Sequence, residues 1–294
     1  MERIKIANDT CKAEIQLSGA QMASFKGPDG REVMWQADPA VWPHYAPVLF
    51  PVCGYVDQDR IYIAGEKYPM KKHGFTRTWV FDVTRKGSDF VELSLGPNEE
   101  NKPMYPFDFA FRVNYTLNAK GYTTTFIVEN HDTKPMPFCV GGHPGFQVPM
   151  EAGAKFEDYQ VVFDEVEDGK CYLTPGGKVI DGWEYVDNFH NTNVLPLNHA
   201  LFDSRDALLF LGLKSRAVNL VHKDSGHGLR FEFPKLEMLA VWSMPNKNAD
   251  YLCLEPWHGT PEQKGESGNF EDKAYVTILQ PGECWQGGFT VTLI

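Results

Sequence analysis

The chain has no C-x-x-C pair, no run of Lys and Arg, no long apolar stretch and no clean helical stripe. Each absence excludes something. Without clustered positive charge there is no field for a nucleic-acid backbone or an anionic membrane. The overall balance agrees, since 28 Lys and Arg stand against 39 Asp and Glu, a formal net charge of −11. No segment approaches the roughly 18 consecutive apolar residues of a membrane span, and Met1–Leu17 lacks the ~7–15-residue apolar centre of a secretion signal. The expectation is a cytoplasmic protein whose partners include neither nucleic acid nor membrane, a monomer or homodimer. Its six cysteines, Cys11, Cys53, Cys139, Cys171, Cys253 and Cys284, are scattered and five of them lie in apolar stretches, so all are expected to be reduced and structural.

Several catalytic signatures are also missing. There is no H-E-x-x-H, and the spacing of His222 and His227 does not by itself place two imidazoles on one metal. No G-x-S-x-G occurs, and none of Ser18, Ser94 and Ser243 sits in a nucleophile elbow. The Gly141-Gly142 pair enters a proline turn and matches no nucleotide loop. The sequence thus predicts neither a required metal nor a cofactor.

What is present is a period of two. Apolar and polar residues alternate in Cys11–Leu17, Val91–Leu95, Phe111–Leu117, Leu229–Phe233 and Phe289–Leu293, the pattern of half-buried strands. Turn clusters separate them, among them Gly27-Pro28-Asp29-Gly30, Asn118-Ala119-Lys120-Gly121, Thr174-Pro175-Gly176-Gly177 and Gln280-Pro281-Gly282-Glu283. With 43% hydrophobic residues and no linker or compositional break, residues 1–294 read as one all-β domain, a large antiparallel sandwich of two packed sheets. The pattern leaves Ala200–Leu211 open between helix and strand, and Glu151–Asn198 reads as a weakly patterned excursion.

Four segments break the alternation by mixing polar residues with Gly, Pro and aromatics, as functional loops on a rigid scaffold do. They are Pro47–Gly54, Lys71–Arg77, Gly141–Phe146 and Leu254–Gly259. His73 and His143 each adjoin a glycine and precede an aromatic, Phe75 or Phe146. Glu255 leaves the apolar run Tyr251–Leu254 just before Pro256. Each of these residues also suits a purely structural role. Together with the aromatics Trp35, Phe50, Phe75, Phe146 and Trp257, they describe acid/base work on a small polar molecule.

In order along the chain, Trp35, Ala46–Pro51, Tyr68-Pro69-Met70 before His73-Gly74-Phe75, Tyr105-Pro106-Phe107, Pro137-Phe138 before Gly142-His143-Pro144, and Leu254-Glu255-Pro256-Trp257 resemble the aldose 1-epimerases. These are also called galactose mutarotase-like proteins, and the likeness is to their shorter, LacX-like branch. The resemblance implies a β-supersandwich and a mutarotase that interconverts the α and β anomers of a free aldose without a cofactor. It implies Glu255 as general base, His143 as general acid and His73 as a support for the sugar oxygens. For substrate binding it implies Arg77, Asp206 and Arg60, with Phe75 and Trp257 as aromatic contacts. Where many LacX-like relatives have an arginine this chain has Tyr55, and Tyr45-Ala46 replaces the arginine-bearing motif of the hexose-6-phosphate branch. The competing expectations are a carbohydrate-binding or sensing protein without turnover and a hexose-6-phosphate epimerase.

Overall fold

In the computed structural model, which describes residues 1–294, the alternating segments are strands. Phe109–Leu117 buries every second side chain, and the turn after it returns the chain as Gly121–Asn130 in register from Tyr122 against Leu117 to Asn130 against Phe109. Asn118 makes that turn, its N–H donating to the Gly121 carbonyl and its side-chain oxygen accepting the Lys120 N–H. Phe90–Leu95, Gly228–Glu232 and Cys284–Leu293 join this hairpin in a nine-stranded sheet whose pairs are antiparallel.

A second sheet, of eight strands, is built around Tyr251–His258. Met238–Trp242 pairs with it on one side, and the short strands Val140–Gly142 and Gly145–Gln147 pair with it on the other. The two sheets face each other across aromatic side chains, with Phe146 6.0 Å from Phe231 and Phe210 5.9 Å from Phe163, ring centre to ring centre. Gly142 stands at a close approach of the two layers, since a Cβ there would lie 2.8 Å from the Phe289 ring. One hydrophobic cluster of 74 buried residues fills the interior. Each fully buried Phe, Leu or Val in it contributes roughly 1.5–3 kcal/mol of transfer free energy.

The antiparallel sandwich is therefore the one the alternation predicts. Ala200–Leu211 resolves into a single helical turn, Ala200–Asp203, followed by the strand Leu208–Leu211. The Glu151–Asn198 excursion holds a nine-residue strand, Tyr159–Glu167, whose register shifts between Val162 and Glu167 and so blurs the period. No cysteine is paired; Cys284 is exposed and the other five are buried. No helix is long and apolar enough to cross a membrane.

Candidate active site

All eight residues of Tyr251–His258 are buried, because the strand is covered on both faces. Leu252 and Leu254 point into the main core, whereas Tyr251 and Cys253 join a separate cluster with Trp42 and Ala249. Glu255 shares the face of Tyr251 and Cys253 by the two-residue period of a strand. Its cross-strand neighbour is Ala240, a side chain small enough to leave open space beside the carboxylate. There a cavity of about 230 Å³ opens, lined among others by Trp42, His73, Arg77, His143 and Glu255.

His143 enters this cavity from the turn between Val140–Gly142 and Gly145–Gln147, held by its own N–H, which donates to the Pro47 carbonyl at 3.1 Å. Its Nε2 lies 3.2 Å from Oε2 of Glu255, and both side chains are almost wholly buried. Burial pushes the Glu255 carboxyl well above the usual carboxylate range, against the pull of Lys72 and Arg77. Burial, reinforced by the Arg77 charge, holds the His143 imidazole well below its ordinary value. Both shifts favour a neutral pair that holds one proton. The imidazole stacks on Trp42 at 4.8 Å and meets the edge of Trp242 at 5.5 Å, while its Nδ1 makes no hydrogen bond.

His73 is fixed differently. Its backbone is left-handed, with φ of 68°, and it exchanges two hydrogen bonds with Gly54: its N–H donates to the Gly54 carbonyl at 2.8 Å, and the Gly54 N–H donates to Nδ1 at 3.1 Å. Because Nδ1 accepts, the ring proton sits on Nε2. Burial and the charges of Lys72 and Arg77 also keep this imidazole neutral. Gly54 has φ of 74°, and a Cβ there would collide with Pro261, so no other residue could hold the contact. Trp257 donates its indole N–H to the Gly142 carbonyl at 3.2 Å and presents an edge to His73.

Arg77 rides on the turn Thr76–Thr78, anchored where the Thr76 hydroxyl donates to the Val48 carbonyl at 2.7 Å. Its half-buried guanidinium lines the cavity and makes no hydrogen bond or ion pair within the chain. At the rim Lys72 pairs with Asp206 at 3.2 Å. The structure thus brings Glu255, His143, His73, Arg77, Asp206 and Trp257 together.

It places Phe75 and Arg60 elsewhere. Phe75 lies in the core against Phe50 and Trp79, because the left-handed turn at His73 and Gly74 carries it inward. Arg60 bonds Gln58 and lies over the Tyr62 ring, outside the cavity. Phe50 and Phe146 are core residues as well, and Trp35 stacks behind the site on Tyr251 at 4.5 Å. Trp42 and Trp242 are walls that the sequence reading passes over. Trp42 had no signal, but Trp242 ends the apolar run Met238–Trp242 and faces the same cavity as Glu255. The one grouping with the donor types of a metal centre is His143, Cys253 and Glu255, whose ligand atoms lie within 4.8 Å of one another.

The aldose 1-epimerase family model matches residues 2–292. The chain belongs to that family. Among curated relatives, the chromosomal LacX protein of Lactococcus lactis subsp. lactis is 36% identical over 303 residues, covering 99% of both chains. Two solved structures superpose on the present chain with a TM-score of 0.92 at 30% identity. They are a galactose mutarotase related enzyme from Lactobacillus acidophilus, covering 100% of this chain and 97% of that one, and a galactose mutarotase-like protein from Lactobacillus casei ATCC 334, covering 100% of both. The resemblance drawn from the motifs is therefore the family, and the sandwich is its fold. The chain is a sugar isomerase of the epimerase type.

Proposed function

We propose that this family member interconverts the anomers of a free aldose, with Glu255 and His143 exchanging protons with O1 and the ring oxygen. The observation that carries the reading is the 3.2 Å contact between His143 Nε2 and Glu255 Oε2 at the floor of the cavity. In the ionised arrangement Glu255 takes the proton of the C1 hydroxyl while His143 gives one to the ring oxygen. The C1–O5 bond breaks and the open aldehyde forms. After rotation about C1–C2, closure on the other carbonyl face reverses both transfers, so the pair ends with the proton it started with. Between turnovers the proton passes directly between the two side chains, which makes the neutral and ionised arrangements one protonation state. His73 offers its Nε2 proton and Arg77 its free donors to sugar oxygens, and Trp42, Trp242 and Trp257 supply apolar walls. General acid and base each contribute about 10²- to 10⁴-fold.

A neutral sugar is favoured by the cation inventory. A phosphate dianion recruits paired, bidentate arginines, whereas Arg77 is the one arginine of this cavity and Lys72 already answers Asp206. Lys178, exposed at the mouth and without an ion pair, favours a hexose 6-phosphate as the second reading.

Fresh α-anomers, free and 6-phosphorylated, followed by polarimetry or anomeric NMR exchange, separate the two. The free aldose is expected to be turned over more efficiently; a phosphate ester turned over at least tenfold better overturns that choice. Glu255→Gln and His143→Asn are each expected to lower kcat at least about 10²-fold, and the double variant less than the product of the two. Turnover within a few-fold of the parent in either single variant removes that residue from the mechanism.

A further inference from the structure

Cys253 lies one strand period before Glu255 on the same face, and the acid/base reaction gives it nothing to do. Its thiol is fully buried and makes no hydrogen bond within the chain, yet its sulfur stands within 4.8 Å of ligand atoms of both Glu255 and His143. One nitrogen, one sulfur and one carboxylate oxygen, with open space beyond, is the donor set of a three-ligand zinc centre that keeps its fourth position free. We propose that His143, Cys253 and Glu255 form an inhibitory site for a soft divalent cation of the zinc type, which shuts the sugar site when it binds.

The geometry needs little change. Bond lengths of roughly 2.0–2.3 Å in a tetrahedron place ligand atoms ~3.3–3.8 Å apart. His143 Nε2 and Glu255 Oε2 already stand at 3.2 Å. The Cys253 sulfur, within 4.8 Å of both, has to approach by no more than about an ångström, and the cavity beside His143 and Glu255 leaves room for a water as fourth ligand.

Charge favours the same complex. A dication with one thiolate and one carboxylate is neutral overall, the state a buried site tolerates best. Without the cation, burial keeps Cys253 a thiol. Binding sends the thiol proton and the proton of the Glu255–His143 pair to solvent, and leaves the imidazole neutral with its remaining proton on Nδ1. That nitrogen has no partner to lose. The sulfur sets the selectivity, since thiolate prefers zinc to magnesium or calcium.

The cation takes the lone pairs that the sugar reaction needs, so inhibition competes with the aldose. The inhibition rests on the acid/base reading above; the binding does not. The test therefore has two readouts, both in a Cys284→Ser background that removes the exposed thiol.

In the first, Co²⁺ is added to the protein and thiolate-to-cobalt charge-transfer absorption is recorded. It is expected to saturate at one equivalent, to be displaced by Zn²⁺ and to be absent in Cys253→Ser and Cys253→Ala. In the second, Zn²⁺ is titrated against turnover. The parent is expected to lose at least tenfold in activity, recoverable with a chelator and opposed by high aldose. Cys253→Ser is expected to keep turnover within a few-fold and to need at least tenfold more Zn²⁺ for the same loss. Absence of the cobalt band in the parent, or a band unchanged in both Cys253 variants, overturns the site. A normal band with zinc-insensitive turnover keeps the site, overturns its inhibitory role and counts against the acid/base assignment.

Discussion

On the proposed acid/base reading, Glu255 and His143 share one proton in a place that resists net charge, and this sets how activity follows pH. Adding a second proton makes the pair cationic next to Lys72 and Arg77, which holds the acid limb below the ordinary imidazole value of about 6.5. Removing the one proton leaves a buried anion, so the alkaline limb lies above the ordinary carboxylate range. Between them the one-proton pair persists. The dependence of kcat/KM on pH is therefore expected to be a bell whose acid limb lies below the ordinary imidazole range and whose alkaline limb lies above the ordinary carboxylate range, and its two apparent values belong to the pair. A profile that rises through the ordinary imidazole range would contradict the shared proton. His73 does not enter this profile, because its Nδ1 is committed to the Gly54 N–H and protonation would oppose two donors.

Three elements bring the site together: the covered strand Tyr251–His258, the turn from Lys71 to Thr78, and the turn after Val140–Gly142 that carries His143. Phe75 belongs to the second as a core anchor, edge-on to Phe50 at 6.1 Å and tilted against Trp79 at 5.2 Å. Phe75→Ala is expected to cost about 3–5 kcal/mol in urea unfolding while leaving the KM of the folded enzyme within a few-fold. A raised KM at unchanged stability would instead restore it as a sugar contact. The same elements show what a sequence can reveal. Strict alternation made Phe111–Leu117 readable as a strand, and the interruption of apolar patterns by single polar groups marked His143 and Glu255. The sequence pattern misplaces Phe75 because no period records the left-handed bend at His73 and Gly74 that leads it into the core. It passes over Trp42, which sits in irregular chain after Asp38, where only its stack on His143 shows its use. Motif position alone draws in Arg60, whose side chain lies over Tyr62.

At the scale of the whole molecule, an acidic chain of net charge −11 carries Lys72, Arg77 and Lys178 around its cavity. A neutral aldose meets no long-range field there, so its KM is expected to be nearly constant between low and moderate salt, whereas that of a phosphate ester should rise as the cations are screened. Steady-state assays at two ionic strengths decide it. The strand Tyr251–His258 also has a consequence in time. It is wedged between Met238–Trp242, its near neighbour in sequence, and Val140–Gly142, which is far away in the chain. Glu255 can meet His143 only after that distant pairing has closed, and long-range pairings are the slow ones. During refolding from urea, tryptophan fluorescence should recover before turnover does, and the delay would measure how long the molecule exists as a sandwich without an enzyme.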